Sequence, residues 1–338
     1  MINLTTLLAS IFVFGLLITA HELGHFILAK INGVKVLEFS IGMGPRLFKV
    51  KGKETEYSLR LLPVGGYVKM LGEEEECDDP RAFRKQSPWK RLSILIAGAF
   101  MNFILAIILF IIIFYNVGVT TLTIDNVVRD YPAFRSGIRP GDKIVAVNGN
   151  KINSWNEFLI FMNNNQNKEF VLTVKRDNII IDKKLQPIKN QEESRYIIGI
   201  TPKVEKGKLL VAIASSINET IVSIKQMLIV LGGLITRKVS ADNLGGPVAI
   251  IKMSGEAAKI GIWSLLYFAG FLSINLGIMN LIPFPALDGG WVVITFIEGI
   301  TGRKIDENKI GLINLIGFTL LMLLAIIITY RDILRIFA

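Results

Sequence analysis

The stretch LLITAHELGHFILAK, residues 16–30, places two histidines and a glutamate inside the first apolar run of the chain. Ionisable side chains within a membrane span are costly and usually mark function. Their spacing indicates which. Residues four apart share one face of a helix, so His21 and His25 point the same way, with Glu22 beside them. H-E-x-x-H on a helix is a zinc-binding pattern in which the glutamate acts as general base. The 338 residues contain no other histidine. The structural alternative is a pair of imidazoles making buried hydrogen bonds in a bundle.

That reading requires a membrane, and the composition supplies one. Hydrophobic residues make up 51% of the chain and charged residues 20%. Four stretches approach or exceed the roughly 20 apolar residues that span a bilayer. They are 4–20 running on to 29, 92–115, 262–282 and 310–330. The fold class expected is a multi-span α-helical membrane protein with four transmembrane helices. The first stretch has no basic residue before Lys30 and no small-residue cleavage site, so it is expected to be a retained anchor rather than a signal peptide. The net charge of +10 does not indicate nucleic acid, because the basic residues cluster beside the spans and no nucleic-acid module is present. A single cysteine, Cys77, rules out an intrachain disulfide.

Loop charge sets the orientation. Thirteen Lys and Arg lie from 30 to 91, and none precedes them. Basic loops stay cytoplasmic, so the N-terminus is expected outside, 30–91 inside, and 116–260 outside. Residues 209–235 are apolar enough to suggest a fifth span, but they carry Asn218, Glu219, Lys225 and Gln226. Each charge at a helix centre costs about 2.5–3.5 kcal/mol on insertion scales. An amphipathic surface helix is therefore expected there. The resulting divisions are 1–115, 116–205, 206–260 and 261–338.

Catalytic zinc takes three protein ligands and keeps a fourth position for water. With both histidines used and Cys77 in a polar loop, an oxygen ligand must complete the set. Asp288, in NLIPFPALDGGW at 280–291, is the candidate. Alone, it would read as an N-cap for a helix starting near Gly290. Topology favours the ligand: spans one and three run in the same direction, so Asp288 and the two histidines fall at one depth near the inner side.

HELGH in the first span, NLIPFPALDGG at the third and the segment between them resemble the site-2 protease family. These are zinc intramembrane metalloproteases, here of the bacterial regulator-of-sigma type with one PDZ domain. The resemblance covers nearly the whole chain. It implies that His21, His25 and Asp288 hold zinc and that Glu22 is the base. It implies a membrane-associated β-hairpin, matched by LPVGGYVKM at 62–70. The hairpin's edge at Gly65, Gly66, Tyr67 and Val68 would pair with an unwound substrate. Asn280 resembles the family's substrate-facing asparagine. Where many members read A-G-P-x-x-N in span two, this chain reads AGAFMN at 97–102, with Ala99 for the proline. Asn102 is expected as interhelical packing glue.

The outer region carries a second module. Residues 131–155 contain a Pro-Gly-Asp turn, a β run at 143–147 and an Asn-Gly turn at Asn148 and Gly149, and FVLTVKR at 170–176 alternates as a strand. The pattern resembles an α+β bacterial PDZ domain over about 118–203, inserted on the extracytoplasmic side. Such a domain would bind substrate tails or filter substrates by size. Residues 72–79 are expected to be a solvated acidic loop, 81–91 an interfacial anchor against the lipid bilayer, and 243–250 a turn.

The chemistry expected is hydrolysis of a peptide bond within single-span membrane proteins. Zinc would acidify water, and Glu22 would take its proton and deliver it to the leaving amine. The resemblance implies anti-sigma factors or remnant signal peptides as substrates and a bacterial inner or plasma membrane as the location. A zinc or proton transporter would show inverted repeats and polar residues along several spans. A PDZ membrane scaffold would need neither His21, Glu22 nor Asp288.

Overall fold

The computed structural model describes residues 3–73, 77–190, 196–238, 245–303 and 305–337. Elements run in chain order as α1 (Leu4–Ile31), β1 (Val36–Lys51), β2 (Glu56–Met70), α2 (Pro88–Asn116), β3 (Val119–Val127), α3 (Pro132–Arg135), β4 (Lys143–Val147), β5 (Asn150–Lys151), α4 (Trp155–Asn164), β6 (Phe170–Arg176), β7 (Ile179–Leu185), β8 (Ile188–Lys189), β9 (Tyr196–Ile197), β10 (Ile200–Glu205), α5 (Leu209–Ile235), α6 (Pro247–Ile260), α7 (Ile262–Leu281), α8 (Asp288–Thr301) and α9 (Glu307–Phe337). Two compact units result: residues 1–109 with 223–338, and residues 110–222.

The first unit is a helical bundle with a β-hairpin. Asn3 opens α1 by accepting the Thr6 N–H on its side chain, the usual service of an N-cap to an orphan amide. Ala9, Val13 and Leu17 of α1 are buried with Leu109 near the far end of α2, and with Leu265 and Ala269 of α7. Early α1 thus packs against early α7 and late α2. Helices α1 and α7 run parallel, and α2 runs against them. Helix α6 packs along α1, α7 and α9. Its free N-terminal amides are capped from a distance: Asp332 of α9 accepts from Gly246 N at 3.3 Å and Ala249 N at 3.0 Å. Gly246 has no side chain with which to cap. The expected turn at 243–250 is therefore corrected. Pro247 is the first residue of α6, where a missing N–H costs nothing, while 243–244 lie outside the described residues, as do 74–76 of the acidic loop.

Strands β1 and β2 form an antiparallel hairpin with several register shifts. It is longer than the segment at 62–70 that signalled it. Its base is buried through Val36, Phe39, Val68 and Met70. Its far half exposes Leu47, Phe48, Val50, Leu59 and Leu61. A buried carboxylate braces it: Glu38 accepts from Ser58 Oγ at 2.6 Å, Arg60 Nη2 at 2.9 Å and Arg46 Nη2 at 2.9 Å.

The second unit carries a sheet in the order β10-β3-β4-β6-β7, with β5 on β4. Asn148 and Gly149, both at positive φ, make the β4–β5 turn read from the sequence. Phe158 and Met162 of α4 bury against Ile144, Val147, Leu172 and Val174 of the sheet. Ser154 caps α4 by accepting the Glu157 N–H at 3.1 Å.

Among the described residues, five helices are long and apolar enough to cross a membrane, where four spans were expected; α5 is the additional one. Its faces are inverted relative to those of a soluble protein. Ser216, Glu219, Thr220 and Ser223 are buried, while Leu210 is 82% and Ile229 74% exposed.

Candidate zinc site

The site is built from α1, α2, β2 and the start of α8. Helical spacing brings His21 and His25 to one face of α1, both buried. After α7 the chain turns through IPFPAL, with Ala286 in the left-handed region, and re-enters a helix at Asp288. The helix begins at Asp288 itself rather than near Gly290. Leu287 occupies the cap position, and no side chain caps this end, so the capping alternative for Asp288 is set aside. Asp288 Oδ2 lies 3.0 Å from His21 Nε2 and 3.3 Å from His25 Nε2. The two Nε2 atoms are 3.2 Å apart.

These separations suit a shared ion. Oxygen and nitrogen donors at about 2.0–2.1 Å from tetrahedral zinc sit roughly 3.3 Å from one another. Asp288 Oδ2 is buried without a hydrogen-bond partner despite its proximity to both imidazoles. Three acceptor lone pairs converging on one point are what a cation satisfies. This is the one His, Cys, Asp and Glu cluster with metal-binding spacing among the described residues.

Two further contacts shape the pocket. His25 Nδ1 lies 2.8 Å from the Ile94 carbonyl oxygen. A carbonyl accepts only, so Nδ1 carries the proton and Nε2 keeps its lone pair for the centre. On α2, Gly98 presses against the rings. A Cβ there would stand 2.7 Å from His21 Cε1 and run into His25 Nε2. Glycine is required because the α2 backbone forms one wall of the site.

Strand β2 covers Glu22. A Cβ at Gly66 would lie 2.9 Å from the Ser40 carbonyl oxygen and 3.2 Å from Glu22 Cγ. Gly65 turns the strand at φ 92°. The Tyr67 hydroxyl pairs with Arg60. Asn280, the remaining residue singled out by the sequence, is half-buried on the last turn of α7. A cavity of about 1140 Å³ opens beside the strand, with Tyr67, Val68, Arg91, Trp291, Glu298 and Asn314 among its walls.

Sequence reasoning missed Gly98 and Arg91 and read Asn102 only as packing; these are three contributors to the site. Gly98 and Asn102 both lie in the AGAFMN segment, and Asn102 Nδ2 is 3.2 Å from His21 Nδ1. Asn102 does join helices, as expected of packing glue, but it does so at a histidine. The third is Arg91, whose Nη1 meets Glu298 Oε2 at 2.8 Å in a buried ion pair between α2 and α8. No local pattern signals a pair 207 residues apart.

A match to the peptidase family M50 spans residues 9–324. The chain belongs to peptidase family M50. The M50 assignment is reinforced by full-length relatives. A Clostridium acetobutylicum protein is 46% identical, covering 96% of each chain. The regulator of sigma-W protease RasP of Bacillus subtilis is 32% identical over 98% of this chain and 99% of its own. Among solved structures, the PDZ domain of the SdrC-like protein Lmo2051 from Listeria monocytogenes is 22% identical, covering 25% of this chain and 86% of its own, with a TM-score of 0.22. The M50 peptidase is thus a zinc-dependent hydrolase of peptide bonds, and transporter and scaffold readings find no support.

Proposed function

We propose that His21, His25 and Asp288 hold the zinc, that Glu22 is the general base, and that the substrate is a transmembrane segment of a single-span membrane protein. The observation carrying this reading is the convergence of three acceptor atoms within 3.3 Å of one another, with Glu22 on the same helix turn. Bound zinc supplies Lewis acidity, acidifying water and polarising the scissile carbonyl. The chain's own groups do the rest. Glu22 accepts a proton from water and passes it to the leaving amine. The β2 edge at Gly65–Val68 offers backbone groups to a peptide that has left its helix. Gly66 lets that strand lie close against Glu22. The cavity beside Val68 gives water a polar route into an apolar bundle. Asn280, at the entry to the turn before Asp288, faces the substrate.

The membrane arrangement follows from helix direction. If α2 ends outside and α7 begins outside, the chain between them crosses an even number of times. Helix α5 alone would break that count. Helix α6, with 14 residues, is about 21 Å long and too short for a hydrocarbon core of about 30 Å. Four spans satisfy parallel α1 and α7. Helix α5 then lies in the outer interface, its exposed apolar side in lipid and its polar side covered. The basic 30–91 segment supports a hairpin and site toward the cytoplasm of a bacterial inner or plasma membrane, with the exposed apolar and basic tip of the hairpin at the lipid surface. The module at 116–205 is a PDZ domain selecting substrates outside, by contacting their tails or by filtering them on size. A relative named as a regulator of sigma-W favours anti-sigma factors as substrates, alongside remnant signal peptides.

The test is cleavage of a model transmembrane peptide by the purified protein, with zinc content measured on the same sample. Glu22→Gln is expected to keep zinc and lose cleavage. Cleavage that survives the substitution overturns the mechanism.

A further inference from the structure

Zinc binding needs the lone pair of each Nε2, so each imidazole must carry its proton on Nδ1 and donate it to an acceptor. His25 has that acceptor in the Ile94 carbonyl. Among the described residues, the one polar group at His21 Nδ1 is Asn102, whose Nδ2 is placed 3.2 Å away. In that orientation the amide donates, the Nδ1 lone pair is consumed, and the proton goes to Nε2, where the ion should sit. Asn102 Oδ1, meanwhile, is buried without a partner. An asparagine amide has nearly the same shape turned over, and its two ends are assigned from their surroundings.

We propose that Asn102 presents Oδ1 to the Nδ1–H of His21 and is the positioning residue that fixes this histidine as a zinc ligand. The inference rests on the zinc peptidase reading above and adds to it a residue that does not touch the metal. Asn102 is fully buried, so no water replaces its amide. Its backbone carbonyl accepts from Ser273 Oγ at 2.8 Å, which ties this turn of α2 to α7. Gly98, one turn earlier on α2, lies against both rings. The same helix thus supplies the wall behind the imidazoles and the acceptor that sets the tautomer of one of them. Partners of this kind typically matter by about 10- to 100-fold in metal affinity.

The experiment is zinc affinity of the full-length protein in detergent, by competition with a chromogenic chelator, for the wild type, Asn102→Leu and Asn102→Asp. Aspartate can only accept at neutral pH and keeps the size of asparagine. The expected result is a loss of about 10- to 100-fold for Asn102→Leu and affinity within a few-fold of wild type for Asn102→Asp. A loss with Asn102→Asp as large as with Asn102→Leu overturns the proposal, because it makes the amide a donor or a packing group. Unchanged affinity in Asn102→Leu overturns it as well. If Asn102→Leu does not fold, Asn102→Asp decides alone: retained zinc supports the acceptor role and lost zinc refutes it. A wild type that takes up no zinc fails the underlying reading instead, which keeps the two failures distinct.

Discussion

At residue scale, the site depends on a few atoms held without slack. Asp288→Ala removes one of three converging donors and should strip zinc from the purified protein, as metal analysis would show. Glu22→Gln should leave zinc in place and reduce turnover by about 10²–10⁴-fold, the range of general acid–base assistance; turnover and metal content measured together separate the two roles. Gly98→Ala drives a methyl group into the imidazoles and should lower zinc affinity without changing any ligand. His21, Glu22 and His25 stood out in the sequence because HELGH is a local pattern with a chemical rationale. Asp288 was legible through topology and resemblance. Gly98 and Asn102 were not, because their importance arises from where α2 crosses α1, and spacing along one helix says nothing about a crossing point.

At the scale of elements, α8 meets its neighbours at two points. Asp288 brings its start within 3.0 and 3.3 Å of the histidines of α1, and Glu298 ties its third turn to Arg91 of α2. Both partners of the second tie are buried. Arg91→Met leaves Glu298 as an uncompensated buried charge, a class of change that costs about 3–5 kcal/mol. Thermal denaturation should show the loss, with zinc affinity falling as α8 loosens. The hairpin poses the opposite case. Gly66→Val sets its Cβ 2.9 Å from the Ser40 carbonyl oxygen and 3.2 Å from Glu22 Cγ, so it should loosen the β1–β2 pairing and push β2 away from Glu22, raising KM for a transmembrane peptide more than it alters zinc content. The sequence disclosed the glycine-rich strand but not the brace around Glu38, because its partners Arg46, Ser58 and Arg60 read as ordinary strand-face residues. Helix α6 was missed for a simpler reason. A Gly-Gly-Pro sequence reads as a turn, and only tertiary structure shows that a helix starts on its proline.

At the scale of the whole molecule, the two units are each held together by different means. The sheet unit carries an internal ion pair: Arg176 donates to Asp142 at 2.7 and 2.8 Å, and the Arg139 N–H adds a third bond at 2.9 Å. Burial alone would push the Asp142 carboxyl up, but these bonds outweigh it and hold it below the usual value. A depressed folded pKa stabilises above the unfolded value, near 3.9, and the benefit is lost as pH falls through the folded one. Hydrogen exchange on the full-length protein should show β4 and β6 amides losing protection below about pH 4, with Asp142→Asn weakened already at neutral pH. The bundle unit instead turns apolar side chains outward, which hydropathy reports, so the long apolar helices were legible while the standing of α5 was not: composition alone cannot distinguish a crossing helix from one lying flat. The clasp between Asp332 and the first amides of α6 has a practical corollary for anyone handling this protein. Asp332, on the last turns of α9, is a fastening for α6. A chain stopped at Tyr330 would keep every motif and every ligand, yet release the helix that lies along α1, and should yield a loosened enzyme whose defect no inspection of HELGH or LDG would explain.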